Sequence, residues 1–456
     1  MALRKMDNPV INLKTSESSR EKREKMPFSL YKKQKKTEKR KAIFREVPKK
    51  EKILEFPDGF LWGTSTSAYQ IEGNIRNDWS IWEKSYKRIN NLQKNGKNIK
   101  DFTAGQACDS YNRYSEDFDL ALALNNNIVR FGIEWSRIEP KIGTWSVKEI
   151  QHYHNVFKAA KERGLKTVVT LWHWTNPIWL SRINGWTNPE TVKHFLNYTN
   201  LIIKEYGSYI DYWITLNEPM IHTFNGYVIG KFPPGDKNII KGYKVLNNLA
   251  QAHNQAYKLI HKHFPKARVG FTKLRNYFEP ANRWNPVEQI ISRTMNFFSN
   301  ELFINKTKKY LDFVGIDYYF HDRIVWYPPF IKNKNIEVTD TGWEIYPEGI
   351  YHVLKSLQKL KKPIIIMENG IADQEDKYRE VFIKEHLYYI HKAIQEGVPV
   401  KGYLYWSLLD NFEWSLGWEP KFGLFSVDRE TFKRRPRPSA FKYADICKNN
   451  KVSVVI

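Results

Sequence analysis

Cysteine is almost missing from this chain: two residues, Cys108 and Cys447, in 456. That excludes a disulfide framework and points to free thiols in a reducing compartment. Long apolar runs are missing too, since none approaches the ~18 residues of a membrane helix. The N-terminus lacks the apolar core of a secretory signal. The expectation is a soluble, cytoplasmic protein. Acidic residues are in short supply, 49 Asp and Glu against 73 Lys and Arg, for a net charge of +24. The imbalance is concentrated in residues 1–52, with 18 basic and 7 acidic side chains. A segment so polar buries too little apolar surface to offset its ordering entropy and reads as a disordered tail. Its run Tyr31-Lys32-Lys33-Gln34-Lys35-Lys36 would suit nucleic acid or an anionic surface, but charge alone assigns no function. The histidine pairs His152/His154 and His261/His263 have no third ligand nearby, so no metal site and no cofactor is expected.

Aromatics, by contrast, are plentiful: 15% of the chain, with 16 Trp and 26 Tyr. Excess tryptophan fits a heavily packed core, and it also suits sugar rings, whose C–H faces stack on indoles. From residue 53 to 447 short apolar runs recur, each followed by an amphipathic helical pattern. They begin near Phe60, Ile128, Thr167, Tyr212, Val269, Phe313, Pro363 and Lys401. Ser146 with Glu149, and Thr187 with Glu190, form capping-box patterns ahead of periodic runs ending near Gly164 and Gly207; residues 377–396 form a third long helix. Strand–helix alternation repeated eight times predicts an α/β fold, a single (β/α)8 TIM barrel. Its active site belongs at the C-terminal ends of the strands. Residues 448–456 read as a C-terminal extension.

Two of the strands end in an unusual way. Tyr212-Trp213-Ile214-Thr215-Leu216-Asn217-Glu218 stops at Pro219, and Ile364-Ile365-Ile366-Met367-Glu368-Asn369 stops at Gly370. A carboxylate at the end of a buried strand is costly unless it is hydrogen-bonded, paired or at work. Two of them suggest the paired carboxylates of glycoside hydrolysis.

The residues from about Phe56 to Ile446 resemble glycoside hydrolase family 1, the retaining β-glucosidase family, in its prokaryotic form. Four stretches in the family's order carry the resemblance: Phe60-Leu-Trp-Gly-Thr-Ser-Thr-Ser-Ala-Tyr-Gln-Ile-Glu-Gly73, Asn217-Glu218-Pro219, Glu368-Asn369-Gly370 and Trp406-Ser-Leu-Leu-Asp-Asn-Phe-Glu-Trp414. The resemblance implies Glu368 as nucleophile and Glu218 as general acid/base. Arg130 and Tyr319 would hold the nucleophile, and Asn217 would meet the sugar 2-hydroxyl. Gln70, His173, Trp174 and Glu413 would bind ring hydroxyls over a floor formed by Trp406. Trp414 and Phe422 would close the pocket, and Trp343 would flank the leaving group. An acidic Glu413 would repel a 6-phosphate, which favours neutral glycosides. Retention of Glu218 favours O-glycosides that need acid assistance.

Three positions depart from the family pattern. The sixth-strand motif reads Asp317-Tyr318-Tyr319 where Asn-Tyr-Tyr is usual, His222 stands in a commonly apolar stretch, and the third strand continues into Thr175-Asn176-Pro177. The expected activity is release of glucose from small β-D-glucosides through a covalent glycosyl-enzyme, as part of carbohydrate metabolism. Alternatives are a β-galactosidase, β-fucosidase or transglycosidase on the same scaffold, a catalytically silent sugar-binding barrel, and a barrel tethered to nucleic acid by its tail.

Overall fold

The structure, a computed structural model, describes residues 51–455. Among them, eight short parallel strands close into a barrel: β1 (Leu61–Ser65), β2 (Ile128–Gly132), β3 (Lys166–Thr170), β4 (Tyr212–Ile214), β5 (Val269–Gly270, continued by Thr272–Leu274), β6 (Val314–Asp317), β7 (Ile364–Asn369) and β8 (Val400–Trp406). Each pairs with its sequence neighbours. The first part of β5 bonds to β4 and the second to β6, and β8 returns to β1 to close the ring. The principal helices outside the ring are α1 (Ser110–Ala123), α2 (Val147–Glu162), α3 (Glu190–Tyr206), α4 (Ile239–His263), α5 (Leu302–Thr307), α6 (Glu348–Leu357), α7 (Arg379–Gln395) and α8 (Pro438–Asn449). The predicted barrel is the observed one.

The strands are apolar on both faces because both are covered, by helices outside and by side chains within. Leu61, Ile128, Val168, Ile214, Ile365, Met367 and Leu404 are buried together as one cluster contributed by the strands themselves. The barrel is therefore a packed core and not a pore, and the polar residues of the site gather toward the C-terminal ends of the strands and just beyond them. Every strand-end residue singled out in the sequence lies there.

Local signals fared unevenly. The Ser146 hydroxyl accepts the Glu149 N–H at 3.4 Å and caps α2 as expected. Thr187 does not cap α3: its hydroxyl donates to the Asn184 carbonyl, and Asn188 Oδ1 takes the Glu190 N–H at 3.0 Å instead. The expected boundaries at 52/53 and 447/448 fall inside elements. Glu51–Glu55 pairs antiparallel with Lys451–Val455, turning Leu54, Val452 and Val454 inward, so both ends of the described chain belong to the barrel's outer layer. The disordered tail expected at 1–52 lies, for residues 1–50, outside the described residues. Cys108 and Cys447 are both buried and free.

Candidate active site

Arg130 is the hub of the rim. It lies on β2 with 1% of its surface exposed, and its guanidinium reaches three partners. Nη1 donates to Glu368 Oε1, Nη2 to Asn217 Oδ1, and Nε to the Thr170 hydroxyl on β3. Tyr319, two residues beyond β6, donates its hydroxyl to the other Glu368 oxygen at 2.7 Å. Both carboxylate oxygens of Glu368 are thus bound by donors, one of them cationic.

Glu218 is treated in the opposite way. β4 ends at Ile214, short of the expected run; Pro219 opens a short helix (Pro219–Thr223), and Glu218, just before it, takes a left-handed conformation, φ 39°. Trp174 and Trp414 share that trait, at 72° and 49°. Such backbone is costly for residues with a Cβ and gathers at sites where the fold over-determines it. Glu218 Oε1 is buried without a hydrogen-bond partner. One carboxyl oxygen from each of Glu218, Asp317 and Glu368 lies within 4.8 Å of the others. Burial, then the charges of Asp317 and Glu368, hold the Glu218 carboxyl well above the usual carboxylate range, with Lys273 opposing. One carboxyl group thus has donors on both oxygens, and its neighbour keeps an oxygen with none.

Asn217 spans the two. Its Oδ1 accepts from Arg130 and from the Thr272 hydroxyl, which fixes the other amide atom as the NH2. That group lies 2.9 Å from His173 Nε2. Burial and the nearby Arg130 charge depress the His173 pKa well below its ordinary value. The ring is therefore neutral, Nε2 accepts, and the proton sits on Nδ1, which has no protein partner. Trp174 Nε1 donates to the Asn217 carbonyl.

The remaining predicted residues form an aromatic wall with few polar atoms. Gln70 Nε2 donates to Asn411 Oδ1 and the Phe412 carbonyl, both at 2.9 Å, and reaches Glu413 Oε2 at 3.4 Å. Trp414 stacks on Tyr69 and His173 and tilts against Trp174. Trp406 and Phe422 pack together, with Tyr319 and Trp343 against them. Burial, with the charge of Glu368 second, raises the Glu413 pKa to about 8. This favours the neutral form of Glu413, which weakens the expectation that it repels a 6-phosphate by its charge. A raised folded-state pKa stabilises the fold at low pH, and that contribution is lost as pH climbs through the folded value. The Tm of the wild type should therefore fall relative to that of Glu413→Gln between about pH 4.5 and 8. Paired thermal melts across that window check it, and a constant difference contradicts it.

Sequence reasoning missed Thr272 and Lys273 on β5 and flagged Asp317 only as a departure. A charged residue at a buried strand end was the signal that found both glutamates, and Lys273, 1% exposed, carries the same signal. The other two departures are structural. His222 packs edge-on against Trp172, and burial lowers its pKa to about 3. Asn176 Oδ1 accepts both the Trp172 and the Trp186 indole N–H, while its backbone and side-chain N–H groups donate to Asp78.

This geometry can be compared with known proteins. The family model described as Glycosyl hydrolase family 1 matches residues 53–311 and 306–452. A protein named Beta-glucosidase A from Thermotoga maritima is 34% identical over 448 residues, covering 87% of this chain and 99% of its own. A Beta-galactosidase from Pyrococcus woesei is 29% identical, covering 87% of this chain and 98% of its own. The structure of a β-glucosidase from Thermotoga maritima in complex with glucoimidazole superposes with a TM-score of 0.80 at 32% identity, covering 87% of this chain and 99% of that one. The similarity runs through the whole barrel, from the ribbon before β1 to the end of α8, and includes the two strands that carry Glu218 and Glu368. The chain belongs to glycoside hydrolase family 1 and is a glycoside hydrolase.

Proposed function

We propose that the enzyme hydrolyses small β-D-glucosides with retention of anomeric configuration, using Glu368 as nucleophile and Glu218 as acid, then base. One observation carries this reading. Two carboxyl groups face each other across the rim, one satisfied by Arg130 and Tyr319, the other buried and unpartnered. One oxygen of each lies within 4.8 Å of the other, which is nearer the roughly 5–5.5 Å of retaining pairs than the roughly 6.5–9.5 Å of inverting ones.

In the first step Glu368 attacks the anomeric carbon. The bond to the leaving oxygen breaks, and that oxygen takes the Glu218 proton. Glu368 gives up its negative charge to the new ester as Glu218 becomes an anion, so Glu218 is now the base. In the second step it takes a proton from water as the water oxygen attacks the same carbon. The ester bond breaks, and both carboxyls return to their starting states. Asn217 holds the 2-hydroxyl. Gln70, His173 and Glu413 bind the other ring hydroxyls and Trp406 stacks beneath the ring; Trp174, expected among the hydroxyl-binding residues, gives its indole N–H to the Asn217 carbonyl and with Trp414, Phe422 and Trp343 excludes water.

Glucose is favoured as the sugar because the relatives named β-glucosidases are the more similar; the Beta-galactosidase relative makes galactosides the second substrate to test. The free, buried thiols fit a reducing, cytoplasmic setting. The test is proton NMR of turnover on an aryl β-D-glucoside, with the β-galactoside and β-fucoside alongside. β-Glucose should appear first and mutarotate later. A first-formed α-anomer, or no turnover of any of the three by folded protein, overturns the proposal.

A further inference from the structure

Five ionisable side chains converge at the rim from five strands: Arg130 on β2, Glu218 after β4, Lys273 on β5, Asp317 at the end of β6 and Glu368 on β7. None is more than 5% exposed. In the register of the sheet Asp317 sits directly between Leu274, the neighbour of Lys273, and Glu368. Two cations face three carboxyl groups. With all five ionised the buried cluster would carry an uncompensated negative charge, and a buried group in that position takes up a proton instead.

The hydrogen bonds say where that proton resides. Glu368 is excluded because both of its oxygens accept from donors. Glu218 Oε1 and both oxygens of Asp317 are buried with no partner, and the two groups lie within 4.8 Å. Like-charged carboxylates this close cannot both ionise cheaply. We propose that Glu218 and Asp317 share one proton as a dyad with Lys273 as its counter-charge: Asp317 is the positioning residue that keeps the acid loaded, and Lys273 the one that limits how tightly the dyad holds its proton. This rests on the two-carboxylate reading above.

The surroundings agree. Burial first, then the Glu368 charge, pushes Asp317 well up, with Arg130 pulling the other way. Burial and Arg275 draw Lys273 down to about 7, while Glu218, Asp317 and Glu301 hold it up. The ammonium donates to the Leu274 carbonyl at 3.1 Å. The arrangement also keeps the site neutral through turnover. Before reaction, Arg130 balances Glu368, and Lys273 balances the singly protonated dyad. After glycosylation Glu368 is an uncharged ester, and Arg130 and Lys273 balance Glu218 and Asp317. Removing either Asp317 or Lys273 alone leaves the other uncompensated, so the two single changes should act in opposite directions and offset each other when combined.

The test compares pH profiles of kcat/KM for wild type, Asp317→Asn, Lys273→Met and the double variant. Asparagine keeps the shape at 317 and removes the charge. The basic limb, which reports loss of the acid's proton, should move down by about one pH unit or more in Asp317→Asn and up in Lys273→Met, and return close to wild type in the double variant. A second readout needs no turnover: carbon-13 titration of the Glu218 carboxyl, assigned by its loss in Glu218→Gln, should show the same displacements. If wild type turns over and neither limb nor carboxyl titration moves, the dyad is wrong and the two-carboxylate reading survives. If wild type is inactive, that reading fails, and the carboxyl titration alone decides for or against the dyad.

Discussion

Replacing Glu368 with Gln should lower kcat on an aryl β-D-glucoside by about ten-thousand-fold or more while the protein stays folded. The amide has the shape of the carboxylate, and its oxygen can still accept from Arg130 or from Tyr319. It cannot form the ester through which the sugar is held, so the covalent route closes and no compensating group stands on that face. Asp317 is too tightly packed to substitute: it is 0% exposed, with its neighbours fixed by the sheet register. Substrate affinity should change far less than turnover, because Gln70, Asn217, His173 and Glu413 remain. Circular dichroism and a melting curve separate this outcome from misfolding. A variant that is folded and retains a tenth of wild-type activity contradicts the assignment.

Glu218→Ala should show a loss that depends on the leaving group. Proton donation is worth roughly a hundred- to ten-thousand-fold, and only for an oxygen that needs it. An alkyl glucoside or a glucose disaccharide should lose that factor in kcat/KM. A dinitrophenyl glucoside, whose phenolate leaves unaided, should lose little. Its second step still lacks a base, so the glycosyl-enzyme should accumulate and kcat should fall. Added azide needs no base: it should attack the anomeric carbon, break the bond from that carbon to Glu368 and give β-glucosyl azide. Equal losses for both leaving groups, with no azide product, contradict the role of Glu218. The wild-type partner of this result is the basic limb of the pH profile, set by a carboxyl that burial, Asp317 and Glu368 all hold protonated.

Much of this was legible in the sequence because its signals are local. A β-branched run halted by Pro219 or Gly370 announces both the strand and the charge at its end. Eight such runs with helices between them leave few architectures. What failed depended on partners distant in the chain. Glu51 and Lys52 read as the last of a polar tail until Lys451–Val455 lies beside Glu51–Glu55, and then Leu54, Val452 and Val454 become buried positions. Thr187 and Asn188 compete for one cap, and the stretch between Asn184 and Glu190 decides which wins. Lys273 and Asp317 mean little separately. Only the parallel register of β5, β6 and β7 brings them to the same end of the barrel as Glu368. Glu413 was legible as a pocket residue, but its protonation depends on burial that composition does not reveal.

The account turns on a sugar bound covalently to Glu368 partway through turnover, and one measurement tests that directly. An aryl 2-deoxy-2-fluoro-β-D-glucoside slows release of the intermediate more than its formation, so the ester should persist. Intact-mass spectrometry of the enzyme should show one added fluoroglucosyl group as activity is lost. Peptide mapping should place it on the fragment Ile364-Ile365-Ile366-Met367-Glu368-Asn369, at Glu368. An adduct on Glu218 or Asp317, or turnover with no adduct at all, would contradict the account.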